Sequence, residues 1–333
     1  MKKRLRFIIA VIVLIGVGLL LYFKIFQTKV EEEDPVTDDV VLTTVKVGYL
    51  PSLAASQMYI GIAKGYFEEE GLELEIQEIL SGPEIISTLQ SKSVDVAFGI
   101  VPSLVIARSN GASIKSIAGG TVDNGSVREH RLMLPIDSPI ENGMDLKGKK
   151  IALVAEGTSD YFGLVQYLNK HGLTTDDVEL IKTPHPNMIV AVASKSVDVA
   201  AGIEPFITLG EVEGKTKVFD YYYPDTPTEI GTYLSHEDYI AQNPQVVSAF
   251  SRAINKATVF IQNEDSLRAM LPVLEEYGIK FKISEEVANR VIIMKFQPSL
   301  TPRGVQNIID QLAEYGSIDK LPDPKLCIYN SED

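Results

Sequence analysis

Residues 91–102 read SKSVDVAFGIVP, and residues 194–205 read SKSVDVAAGIEP. A chain that carries one phrase twice must give it the same local structure twice, so the fold is expected to contain two copies of one unit. Within the phrase, the apolar run after the Ser-Lys-Ser helix end reads as a short buried strand. The Gly and Pro that follow read as a turn and the start of a helix. The surroundings repeat at the same offset. VKVGYL from Val45 corresponds to KIALVAEG from Lys150, both as strands. The helix-periodic stretch 56–70, closed by Gly71, corresponds to 158–170, closed by Gly172. LELEIQEI and VELIKTP are the second strands, and Pro83 and Pro186 open the next helices. Two β-α-β-α-β units with alternating strands and helices predict an α/β chain of two lobes, each built on a parallel sheet.

From about Gly231 onward the pattern reads as helical. Val247, Phe250, Ile254, Ala257 and Phe260 form one stripe after the cap signal Asn243–Pro244. Further helices are expected over 266–277, 284–294 and 301–315. This tail is expected to return and cover the first lobe, so the chain would cross between lobes near 121–135 and near 219–231. The length of 333 residues accommodates two such units.

Ahead of the repeat, the basic MKKRLR precedes an unbroken apolar run over residues 7–23. Its length is at the lower edge of what spans a bilayer core, roughly 17–25 residues, and long for a secretory signal. No A-x-A-like processing site follows. The stretch is read as an uncleaved transmembrane anchor, with the basic end in the cytoplasm and everything after Lys24 outside the cell. The expected organisation is a signal anchor over 1–26, an acidic spacer over 27–44, lobe 1 over 45–125 and 230–333, and lobe 2 over 126–229. A net charge of -14 argues against a nucleic-acid partner. The one cysteine, Cys327, forms no internal disulfide and excludes a thiolate metal site. In its Pro- and Asp-rich tail it reads as an incidental thiol.

VGYLPS, AKGYFEEEGLELEI, SVDVAFG, DLKGKKIAL and SVDVAAGIEPF together resemble the nitrate/sulfonate/taurine group of ABC-importer solute-binding proteins, which shares a domain with thiamine-pyrimidine precursor binders. The similarity runs from about Val45 to Phe260. It implies a two-lobed periplasmic-binding-protein fold with two crossovers, here preceded by the transmembrane helix, that closes on a small molecule. It also implies delivery to an ABC permease with its ATPase, and a monomer without cofactor. Two other classes compete with this reading. Thiamine-pyrimidine synthases share the domain but carry a cysteine-rich metal motif that this chain lacks, and no catalytic constellation is evident. A ligand-sensing ectodomain would need a membrane partner.

Ligands of open α/β sheets bind beyond the carboxyl ends of the strands, so the turns there supply the candidate contacts. Ser52 and Leu53 follow the first strand, with Ser52 either capping a helix or holding a ligand. Gly99, Ile100 and Val101 form the turn of the first copy, and Thr121 lies near the first crossover. In the second copy Gly157, Thr158 and Ser159 form the first turn, with Thr158 or Ser159 as cap. Asp160 there would repel an anion. Tyr161 could stack on a planar ligand or sit in the core. His185 and Asn187 also end at the cleft side, although TPHPN reads more readily as a surface turn. The pair His130–Arg131 reads as hinge surface. Glu204 stands where its twin turn has Val101, and a carboxylate there would accept hydrogen bonds from an amine, amidine or hydroxyl. Without an Arg or Lys in these turns, a small inorganic anion is disfavoured.

Overall fold

The computed structural model describes residues 42–330, apart from Leu80, 124–127, Gly157, 224–227 and 278–281, together with Gly18 and Tyr22. Apart from Gly18 and Tyr22, the expected anchor over 7–23 therefore lies outside the described residues, as does the spacer up to residue 41. Among the described residues no helix is long and apolar enough to cross a membrane.

Eleven strands are described. They are β1 (Thr43–Tyr49), β2 (Leu72–Glu78), β3 (Val96–Ile100), β4 (Ile114–Asp123), β5 (Arg131–Pro135), β6 (Lys150–Leu153), β7 (Glu179–Lys182), β8 (Val199–Gly202), β9 (Thr216–Tyr221), β10 (Thr228–His236) and β11 (Lys295–Gln297). Thr43 and Thr44, read from sequence as spacer, already belong to β1. The strands form a six-stranded sheet in the order β11-β4-β10-β3-β1-β2 and a five-stranded sheet in the order β7-β6-β8-β5-β9.

The duplication is visible in this order. In both sheets the three repeat strands β2-β1-β3 and β7-β6-β8 are parallel. The next strand in each sheet comes from the chain's passage out of the other one. Thus β10 runs antiparallel to β3 and β4, and β5 runs antiparallel to β8 and β9. The expectation of purely parallel sheets is corrected to mixed sheets. The expectation that the chain is helical from Gly231 fails for a related reason, because Gly231 lies inside β10 and the tail adds β11. A strand's direction depends on where its connection arrives, which local periodicity does not encode.

The repeated phrase makes the same bonds twice. Lys92 and Lys195 both sit at φ 59°, the left-handed position that ends each helix. Asp95 then accepts a hydrogen bond from the Lys46 N–H at 2.9 Å, and Asp198 accepts one from the Lys150 N–H at 2.8 Å. Each carboxylate thereby fastens the start of the third strand to the start of the first.

Alternation along the strands feeds one cluster on each sheet face. Val96 and Phe98 of β3 join one core with Tyr59 and Phe250, while Ala97 joins another with Leu104 and Ile309. In the second sheet, Leu132 and Leu134 pack with Ile151 and Val199, and Met133 packs with Ala152 and Ala200. The two lobes also touch. Phe162, from the helix Ser159–Lys170 of the second lobe, is buried in the first lobe's cluster around Leu104 and Leu300. Leu209 and Val212 of the helix Phe206–Val212 pack against the other first-lobe cluster. Arg290 reaches Glu211 across the same seam at 3.9 Å.

Candidate functional site

Where the carboxyl ends of the two sheets meet, the lobes enclose a cavity of about 130 Å³. That is close to the roughly 150 Å³ that holds one benzene ring in an engineered apolar cavity. Its first-lobe wall comes from Leu50, Pro51 and Ser52 after β1, from Ser81 and Gly82, and from Phe98 and Ile100 at the end of β3. The second lobe contributes Thr158, Ser159 and Asp160 after β6, Pro184 and His185 after β7, and Ile203 and Glu204 after β8. Glu129 and His130, in the first crossover, and Ile230 and Gly231, in β10, close the hinge side.

Of the residues singled out in the sequence, Ser52, Ile100, Thr158, Ser159, His185 and Glu204 line this cavity. Ser52 makes no capping bond with its side chain. Thr158 is the cap of the helix Ser159–Lys170, its hydroxyl accepting the Tyr161 N–H at 3.3 Å. The others stand elsewhere. Leu53 is in the core of the first lobe, and Val101 is fully buried in its second cluster. A side chain at Gly99 would meet Leu234 and Ile85, so this glycine is a packing residue. Thr121 is buried and accepts the Gly231 N–H at 3.0 Å. Tyr161 packs against clusters of both lobes, and Asn187 is exposed. Gly157 lies outside the described residues.

Two readings from sequence are corrected. His130 is not hinge surface. It is buried and lies in the cavity wall, its ring stacked on Tyr223 at 4.2 Å. His185 is not in a surface turn but opens the helix His185–Ala193, its ring 3.2 Å from Asp160. Asp160, itself buried, thus stands between two histidines, with His130 at 3.5 Å on its other oxygen. His130 also faces Glu129 at 3.4 Å. Burial alone would push the Asp160 carboxyl up. The hydrogen bond from His185, the charges of both imidazoles and the Tyr222 hydroxyl hold it below the ordinary range instead. Glu129, His130 and the Asp160 contacts could not be found by spacing, because their partners come from separate connections. The signal for Glu129 and His130 was the charged run from Arg128 to Arg131 in the first crossover.

Glu204 is corrected in a different way, since its carboxylate is not free. Arg131 donates to Glu204 Oε1, the Thr208 hydroxyl donates to the same oxygen at 2.9 Å, and the Thr208 N–H donates to Oε2 at 3.2 Å. The Ile292 N–H from the opposite lobe adds a bond at 3.4 Å. Burial still keeps the carboxyl above its ordinary range, against the Arg131 charge and these donors. The twin turns also diverge in backbone. One helix starts at Val101, whereas its counterpart starts only at Phe206. Val101 is therefore no template for position 204.

Among the described residues, the wall contains Glu78, Glu129, Asp160 and Glu204 and no lysine or arginine. Among the described residues no group of three or more His, Cys, Asp or Glu is arranged to hold a metal ion.

Residues 54–266 match the family described as NMT1/THI5 like. The chain belongs to the NMT1/THI5-like family. A Brucella abortus protein with the provisional name of a binding protein is 30% identical over 222 residues, covering 65% of this chain and 66% of its own length. The 4-amino-5-hydroxymethyl-2-methylpyrimidine phosphate synthase of Aspergillus parasiticus is 28% identical over 272 residues, 75% of each chain. In structure, the alkanesulfonate-binding protein SsuA of Xanthomonas axonopodis pv. citri, bound to MOPS, superposes with a TM-score of 0.70 at 19% identity, covering 86% of this chain and 98% of its own. The nitrate-binding protein NrtA of Synechocystis PCC 6803 gives 0.68 at 15% identity, covering 87% of each. The fold is thus the two-lobed α/β fold of periplasmic solute-binding proteins.

Proposed function

We propose that this protein is the extracytoplasmic solute-binding subunit of an ABC importer. It would be held at the membrane by the anchor over residues 7–23 and hand its ligand to a permease driven by an ATPase. Residues 45–125 and 230–333 would act as one jaw and 126–229 as the other, in a monomer. The observation that carries this reading is the ring-sized cavity enclosed between the lobes at the carboxyl ends of both sheets. Its acidic lining favours a small organic ligand rich in N–H donors, an amine or an aminopyrimidine, over a sulfonate or nitrate. The relatives named for binding and the sulfonate- and nitrate-binding neighbours support the transport role, and the synthase relative supports a nitrogen heterocycle.

Native mass spectrometry of the full chain extracted in detergent tests this. A co-purified organic molecule bearing N–H donors is expected. A bound sulfonate or nitrate would overturn the ligand class. A second reading, an enzyme akin to the pyrimidine synthases, draws on the fungal relative and on the two histidines in the wall. Conversion of the co-purified molecule on incubation would favour it over transport.

A further inference from the structure

The cavity wall holds the buried carboxylate of Asp160 between two imidazoles, with the buried Glu129 carboxylate beside one of them. His130 is faced by Glu129 from its own crossover and by Asp160 from the helix Ser159–Lys170. Tyr222 lies edge-on and Tyr223 stacks on it from the second crossover. His185 is faced by Asp160 and by the uncharged ring of Phe206. Arg131, next in the chain, is committed to Glu204. The positive charge that the two imidazoles can offer Asp160 is one that can leave as a proton.

We propose that His130 and His185 form a proton-exchange pair around Asp160, giving up a proton to solvent when a cationic ligand enters the cavity. This rests on the solute-binding reading above and adds its regulation. A buried carboxylate is stable only beside a positive charge, and here two sources compete for the role. In the empty cavity the imidazolium supplies it. When an ammonium or amidinium group approaches Asp160, two cations face one another in a small, poorly hydrated space, and the one that can dissociate does so. The depressed Asp160 carboxyl agrees, since it keeps the aspartate charged and leaves the histidines as the groups that exchange. Linkage then fixes the sign. Affinity for a cation rises with pH by about tenfold per pH unit for each proton displaced, for as long as the empty protein still holds that proton. A neutral ligand shows no slope, and an anion shows the opposite one.

Benzamidinium, benzamide and benzoate are planar, one-ring and nearly isosteric, and they differ in charge. Calorimetry of the full chain in detergent with these three probes, at pH 5.5 and 7.5 and in two buffers of different ionisation heat, tests the proposal. Benzamidinium is expected to bind at least about tenfold more tightly at pH 7.5, with proton release. Benzamide is expected to show no pH slope, and benzoate to bind worst. The variant His130→Gln/His185→Gln should bind benzamidinium with no pH dependence. Should that variant fail to fold, the parent's slope and proton release decide alone. A flat or reversed slope for benzamidinium overturns the proposal, as does preferential binding of benzoate or no binding of any probe. Those results leave the transport reading to the co-purified molecule.

Discussion

Replacing Arg131 with Met removes the charge that faces Glu204 and keeps most of the aliphatic stem. The Glu204 side chain is fully buried, and its remaining partners are the Thr208 N–H and hydroxyl and the Ile292 N–H. Stripping one member from a buried pair costs about 3–5 kcal/mol when the other must stay charged. Protonation sets a ceiling. Neutralising a carboxyl of ordinary pKa near 4.3 costs about 4 kcal/mol at pH 7.5 and about 1 kcal/mol at pH 5. Glu204 is already held above its ordinary range by burial, so part of that penalty is present in the parent. The expected loss for Arg131→Met is about 2–4 kcal/mol at pH 7.5, falling to about 1 kcal/mol or less at pH 5. The sign follows from linkage. The variant raises the folded-state value of Glu204 further, so its penalty is absent below the unfolded value and grows as pH rises from there. Urea unfolding at the two pH values, followed by tyrosine fluorescence because the chain has no tryptophan, reads this directly. Adding Glu204→Gln should restore most of the loss at pH 7.5. An equal loss at both pH values, or a loss below about 0.5 kcal/mol at pH 7.5, within the range of neutral surface changes, would refute the reasoning.

Burial raises the Glu229 carboxyl against donors from Thr301 and Gln297, and its Oε2 has no hydrogen-bond partner. A raised folded value means its stabilising contribution is lost as pH rises, so Glu229→Gln should raise the unfolding midpoint more at pH 8 than at pH 5. Asp95→Ala and Asp198→Ala should each destabilise by about 1–2 kcal/mol, and in urea titrations the losses should add, because the two bonds sit in separate sheets. Burial, only partly offset by Arg108, pushes the Cys327 thiol up to about 11. Its alkylation by iodoacetamide at pH 8 should therefore run at least about a hundredfold slower than in the unfolded chain, as followed by mass spectrometry.

The repeat made the two lobes legible because each copy carries the same local signals and the same bonds, the left-handed Lys92 and Lys195 and the strand fastening by Asp95 and Asp198, all within one unit. The turns beyond the strands were legible for the same reason, and six of the candidate residues line the cavity. What escaped was long-range. Glu204 meets Arg131 across 73 positions and Ile292 across 88, so a carboxylate that looked free in its turn is tied on two sides. His130 looked like surface because its burial depends on the second crossover, where Tyr222 and Tyr223 pack on it. The exchanged strands β5 and β10 escaped because each lies in the sheet that its own connection enters.

Phe162 belongs to one lobe and is buried in the other. Parting the lobes would return this ring to water, a change worth about 1.5–3 kcal/mol and thus a roughly ten- to hundredfold bias toward the shut form. The apparent dissociation constant is the intrinsic one divided by the fraction of molecules able to admit a ligand, so this bias weakens the first capture of a solute. The same bias slows escape once the solute is inside. In the proposed solute-binding role, a side chain outside the cavity wall would thus bear on capture and release, and the polar groups around Asp160 on the choice of what is captured.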